Sequence, residues 1–172
     1  MYVEPVTDKL PDVFAHHLKV IFCGTAASAI SAQEKAYYAN PTNYFWRTLY
    51  KIGLTPHQLT PKDFPQLLDY RIGLTDMAKQ AQGNDSDLSK SDFDVESFLQ
   101  KVATYQPKVI AFTSKKAASI ALKTTTRKLS YSLQPGKLEQ SQVWVLTSPS
   151  GAARAYWDES IWQSLADFVS KM

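Results

Sequence analysis

The chain has 172 residues, 44% of them hydrophobic and 20% charged, which is the makeup of one ordinary globular domain rather than a fibrous or disordered chain. Its net charge of +3 is compatible with a polyanionic partner but is too small to define one. Met1 to Pro11 carries acids and prolines without an apolar stretch, and no run reaches the roughly 20 apolar residues of a membrane span, so neither a signal peptide nor a membrane protein is expected. Cys23 is the only cysteine and has no internal partner, which fits a reducing compartment. The expected location is the cytoplasm, at the nucleoid if the source is bacterial.

Residues 1–16 read as an N-terminal extension to a single domain spanning 1–172. Lys19 to Gly24 is an apolar run ending in glycine, a buried strand followed by a sharp loop. Asn43 to Gly53 has the apolar face of a helix, and Thr60-Pro61 opens another that runs to about Leu68, with Thr60 as its cap. Tyr70 to Leu74 reads as a short strand. Gln80 to Asp94 is polar and without period, as in a flexible surface loop.

Val95 to Tyr105 is helical by pattern, and Pro107 to Thr113 is a second buried strand. Lys115 to Leu122 is a helix, Ser141 to Leu146 a third strand, and Asp158 to Val169 a closing amphipathic helix. Strands alternating with helices predict an α/β protein, a three-layer α/β/α domain around a central, mostly parallel sheet. In such sheets, sites form in the loops at the carboxyl ends of strands. Two loops stand out there, after Cys23 and after Leu146. Neither holds a P-loop or a G-x-G-x-x-G pattern, which argues against a nucleotide-triphosphate or dinucleotide enzyme.

The first loop reads Gly24-Thr25-Ala26-Ala27-Ser28, followed by the block Tyr38-Ala39-Asn40-Pro41-Thr42-Asn43-Tyr44-Phe45-Trp46. The second reads Thr147-Ser148-Pro149-Ser150-Gly151-Ala152-Ala153-Arg154, and between them lies Leu67-Leu68-Asp69-Tyr70-Arg71-Ile72-Gly73-Leu74-Thr75. Together these resemble the mismatch-specific uracil-DNA glycosylases, bacterial relatives of thymine-DNA glycosylase within the uracil-DNA glycosylase superfamily. The resemblance runs from about residue 17 to 170.

It implies a monofunctional DNA-repair glycosylase that flips uracil out of DNA and hydrolyses its N-glycosidic bond, leaving an abasic site. Specificity for hypoxanthine or mismatched thymine, and a lesion-binding protein without catalysis, remain the alternatives. DNA containing uracil, single- or double-stranded, is the implied partner. No cofactor or metal is implied, and a monomer is expected.

Residue by residue, the resemblance makes Tyr38 the aromatic that stacks the flipped base. Gly24, Thr25, Ala26 and Ser148 become base-pocket residues, and Ser150, Gly151, Ala152, Ala153 and Arg154 the loop that enters the DNA. Ser28, Lys115 and Lys116 are further expected DNA contacts, within a stretch from Phe112 to Leu138 that has six Lys or Arg and no acid. The chain departs from the family at Ala26, where the family has the Asn that positions the attacking water, at Ser148, where it has Asn, and at Ala152, where it has a bulky Leu.

Another polar group must then hold the water, and Asn43, Gln33 and Asp76 are the candidates, Asn43 first among them. Each also has a plain structural reading. Asn43 could cap a helix, Gln33 could be a solvated residue, and Asp76 could cap a segment or pair with Lys79. Tyr38 could be core, Ser148 a turn residue, and Lys115-Lys116 a solvated helix start. His16, His17 and His57 read as isolated surface residues, with no metal-ligand spacing.

Overall fold

A computed structural model describes residues 7–172. The first six residues of the expected N-terminal extension lie outside the described residues. Five strands form one sheet: β1 (Val20–Ala27), β2 (Ile72–Gln82), β3 (Val109–Phe112), β4 (Ser132–Leu138) and β5 (Ser141–Val145). Their order is β2-β1-β3-β5-β4, with only β4 antiparallel to its neighbour. The helices are α1 (Ala29–Glu34), α2 (Phe45–Lys51), α3 (Val95–Tyr105), α4 (Lys115–Ala121) and α5 (Glu159–Ser170), with 3₁₀ stretches at Pro61–Tyr70 and Gly151–Tyr156 among others.

The three layers follow from side-chain alternation along the strands. Val20, Phe22, Val109, Ala111 and Trp144 point to one face, where α2, α5 and the Pro61–Tyr70 stretch supply Phe45, Trp46, Leu49, Leu67, Trp162 and Leu165. Cys23, Ile110, Phe112, Val143 and Val145 point to the other, under Phe98 and Val102 of α3 and Ala117, Ala118 and Ala121 of α4. The inner strands β1 and β3 are buried on both faces, and this is why they read as continuous apolar runs.

Four expectations change. The strand expected at Tyr70–Leu74 is 11 residues long, so the segment expected to be a loop from Gln80 begins as strand and continues in 3₁₀ turns at Asp85–Asp87 and Lys90–Asp92. From Lys79 on, β2 carries polar residues that alternate between half-buried and exposed, and this masks the strand in the sequence. β4 was not anticipated. It is an edge strand containing Pro135 and Gly136, and an edge tolerates a residue that cannot donate to the ladder. The Thr60 segment is 3₁₀ rather than α-helical, with Pro65 inside it, although Thr60 holds the N-cap position as read, its N–H and hydroxyl donating to the Asp63 carboxylate.

The described part of the N-terminal extension is built into the domain. Leu10 and Val13 are buried, and Val13 exchanges two backbone hydrogen bonds with Leu74 at 2.9 and 3.0 Å. Gly73 permits this approach. A Cβ there would lie 2.5 Å from the Val13 carbonyl oxygen and 2.8 Å from Leu18 Cδ1. Gly73→Ala should therefore destabilise the fold by about 1–3 kcal/mol, a thermal midpoint lower by roughly 2–12 °C. Gly136→Ala, with no atom within 4 Å of the added carbon, is the control and should melt within about 2 °C of wild type. Thermal denaturation followed by circular dichroism reads both.

Candidate active site

A cavity of about 550 Å³ opens at the carboxyl ends of β1 and β3 and beside the loop after β5. Gly24 to Ser28 forms one wall, Tyr38 and Asn40 to Asn43 a second, and Ser148 to Ala153 a third. Gly24 has no side chain because three polar groups converge on it. A Cβ at Gly24 would lie 2.8 Å from Asp76 Oδ1, 3.4 Å from Thr113 Oγ1 and 3.5 Å from the Tyr38 hydroxyl.

Asp76 reaches this point from the neighbouring strand, where the β1–β2 register sets it opposite Gly24. The carboxylate is 6% exposed, lines the cavity and accepts no hydrogen bond from a described residue. Burial raises its pKa from 3.8 to about 6, Lys79 opposes that rise, and Asp12 adds to it. Lys79 itself is held by Asp12 at 2.8 Å and donates to the Tyr37 hydroxyl at 3.1 Å. At Asp12 burial also raises the pKa, but Lys79, Lys101 and Thr75 outweigh it and hold the carboxyl below its ordinary value. One carboxylate is thus fully engaged in ion pairs, while its neighbour faces the cavity with its hydrogen-bonding capacity unspent.

Tyr38 is held with φ at 52°, a backbone conformation that a bulky side chain adopts at a cost of order 1–3 kcal/mol. Its ring stacks on Phe45 of α2, with centroids 4.0 Å apart and planes 23° apart. Its hydroxyl lies 3.4 Å from Thr113 Oγ1, and burial pushes that hydroxyl's pKa up. Ala26 presents only a methyl group to the cavity. Thr25 Oγ1 meets Ser114 Oγ at 3.4 Å, and Ser114 in turn caps α4, accepting from the Ala117 N–H. Ser28 caps α1 by accepting from the Ser31 N–H. Ser148 Oγ accepts from the Ser150 N–H at 3.3 Å, a turn contact at the cavity's edge.

Asn43 lines the cavity, but its Oδ1 accepts from the Phe45 N–H at 2.9 Å, at the start of α2. One of the two lone pairs of that oxygen is therefore spent on the helix. Gln33 is exposed on α1 and does not line the cavity. Lys115 and Lys116 also lie outside it. Lys115 Nζ sits 4.5 Å from the Tyr131 ring centroid, and Lys116 is exposed. Of the three groups proposed to replace the missing Asn, Asp76 is the one that lines the cavity and accepts no hydrogen bond from a described residue.

The loop after β5 is locked to the Asn40–Asn43 segment. A Cβ at Gly151 would lie 2.5 Å from Thr42 Oγ1, the Tyr44 N–H donates to the Pro149 carbonyl at 2.9 Å, and Arg154 donates to the Thr42 carbonyl at 2.9 Å. Ala152 and Ala153 line the cavity, while Arg154 is exposed at its rim. Thr113 was missed from sequence. Its signal is a polar residue ending an apolar run at a strand's carboxyl end.

A mostly parallel α/β sheet with a walled cavity at its carboxyl edge, and no glycine-rich phosphate loop, is the architecture in which α/β proteins place a ligand or active site. The chain belongs to the uracil DNA glycosylase superfamily, whose family model matches residues 11–168. A candidate uracil DNA glycosylase from Methanosarcina acetivorans, solved by solution NMR, is similar in fold. The TM-score is 0.68 at 22% identity, covering 96% of this chain and 98% of that one.

The assignment of Asn43 to the start of α2 has its own consequence. Asn43→Ala should cost about 1 kcal/mol, lowering the thermal midpoint by roughly 2–4 °C, with Asn43→Asp close to wild type. Melting curves of both variants check it. Equal stability in all three proteins would remove the capping role.

Proposed function

We propose that this protein is a monofunctional uracil-DNA glycosylase in which Asp76 takes the place of the family's water-positioning amide. The observation that carries this reading is the Asp76 carboxylate, buried, facing the cavity and without a hydrogen bond from a described residue, one strand away from Ala26. A base flipped into the cavity brings the deoxyribose C1′ to its mouth. The carboxylate accepts a hydrogen bond from a water, aiming its oxygen at C1′. The C–N bond breaks with its electron pair leaving on the base, the water oxygen bonds to C1′, and the water's proton passes to Asp76.

Tyr38 and the small residues Gly24 and Ala26 shape the space for the base, with the Tyr38 ring fixed from behind by Phe45. Fixed dipoles and a positioned nucleophile supply the barrier lowering in such a site. The reading requires no lysine nucleophile and no strand cleavage.

The carboxylate is the working form, so the single-turnover rate should fall about tenfold per pH unit below about pH 6. Asp76→Asn should lower the rate by roughly 10²-fold or more and abolish that dependence. The same change should not harm the fold. The native state binds the Asp76 proton more tightly than the unfolded chain, so a penalty develops as pH rises from 3.8 and is complete above about 6. At neutral pH it amounts to roughly 3 kcal/mol, which the neutral side chain removes, so Asp76→Asn should melt at or above the wild-type temperature.

Uracil release and alkali-labile abasic sites in a uracil-containing oligonucleotide are the readouts. Release of hypoxanthine or thymine in preference to uracil would correct the substrate. No base release at excess protein would leave a lesion-binding protein, and a wild-type rate in Asp76→Asn would remove Asp76 from the mechanism.

A further inference from the structure

Beside the cavity mouth stands a cluster that base removal itself does not use. Tyr44, which precedes α2, is flanked by two guanidinium groups. Arg47 Cζ lies 3.6 Å and Arg154 Cζ 4.3 Å from its ring centroid. Trp157 meets the same ring edge-on at 5.3 Å. Both arginines are exposed, and neither pairs with a carboxylate of a described residue. Their positive charges are therefore pre-positioned on a rigid aromatic support; one Arg154 Nη2 donor is spent on the Thr42 carbonyl, and the remaining guanidinium donors can meet an external anion.

The cluster adjoins the cavity through Asn43 on one side and Ala153 on the other, both of which line it. One 3₁₀ turn beyond Ala153 is Tyr156, 74% exposed. Side chains three residues apart eclipse in a 3₁₀ helix, so Tyr156 stands on the face of the turn that Ala153 presents to the cavity.

Unneutralised arginines tracking a backbone, next to an aromatic ring open to solvent, are the two components by which proteins hold single-stranded nucleic acid. The opposite requirement, for duplex, is a bulky wedge to fill the gap left by an extruded base, since unpairing and unstacking cost a few kcal/mol. The positions lining the cavity from this loop, Ser148 to Ala153, carry only small side chains and a proline ring, and its tip offers just the methyl groups of Ala152 and Ala153.

We propose that Tyr44, Arg47, Arg154 and Tyr156 form a grip for single-stranded DNA, Tyr156 stacking a base next to the flipped one and the arginines holding flanking phosphates, so that unpaired strands are the preferred substrate. The proposal rests on the glycosylase reading for the flipped base, but the grip itself is measured by binding. The probe is a short fluorescent oligonucleotide carrying 2′-fluoro-2′-deoxyuridine, which resists hydrolysis, offered as a single strand and as a fully paired duplex. Fluorescence anisotropy of the full chain should give tighter binding to the single strand.

Tyr156→Ala should weaken single-strand binding about 5- to 150-fold, the equivalent of one stacked base, with a smaller effect on duplex. Tyr156→Phe, which keeps the ring, should bind as wild type. The double change Arg47→Ala with Arg154→Ala should flatten the single-strand salt dependence by about 1.4 in log Kd per log salt, two phosphates at about 0.7 each.

Duplex binding as tight as single-strand binding, equal losses on both DNAs in Tyr156→Ala, or an unchanged salt slope in the double variant would each overturn the grip. Tight, Tyr156-dependent single-strand binding together with no uracil release from a cleavable oligonucleotide would sink the glycosylase reading and leave the grip standing.

Discussion

Everything distinctive about this site depends on the absence of a side chain at Gly24. A carboxylate on the adjacent strand, a threonine hydroxyl and a tyrosine hydroxyl all approach the place where a Cβ would be, the carboxylate to 2.8 Å. Parallel pairing of β1 with β2 fixes that approach, because the register sets Gly24 opposite Asp76 while both strands are held by packing on each face. The carboxylate in the cavity floor is therefore placed by sheet register rather than by loop conformation. A group placed by strands is held more rigidly than one placed by loops, which suits the water-aiming role proposed for Asp76.

The position of that carboxylate also sets its energetics. Asp12 and Asp76 lie on the same side of the domain and share Lys79, yet burial and partners drive them apart. Asp12 is held ionised by two lysines and a threonine, and Asp76 is left with a pKa near 6. Two acids with divergent environments are a recurrent way of obtaining one structural and one working carboxylate. Here the structural one also fastens the N-terminal segment, which places Leu10 in the cavity wall and makes that segment part of the site.

The parts legible in the sequence were those whose signal is local. β1, β3 and β5 read as apolar runs, because being buried on both faces leaves little room for polar residues. The N-cap position at Thr60 was legible from residue type alone, and at Asn43 residue type offered capping beside a catalytic role. The second half of β2 and all of β4 were not, because edge strands carry polar residues, and in β4 a proline, that resemble loop composition. Asp76 was legible only as one candidate among three. Its burial depends on a partner strand some fifty residues away, and nothing around Asp76 in the chain encodes that pairing. Asn43 looked the better choice because its neighbours matched a motif, but its oxygen accepts from the helix that begins there.

The contact between Gly151 and Thr42 bears on when the site acquires its shape. Two walls that touch at a position with no room for a methyl group, and that are joined by a backbone hydrogen bond on one side of it and an arginine-to-carbonyl bond on the other, cannot swing apart independently. The entropy of ordering them is lost when the chain folds, not when DNA arrives. The receptor side of the encounter is then close to static, and the slow coordinate becomes the unstacking of the nucleotide. On the glycosylase reading proposed above, the protein is a trap for bases already out of the helix, its selectivity among damaged sites set partly by how often each one opens unaided.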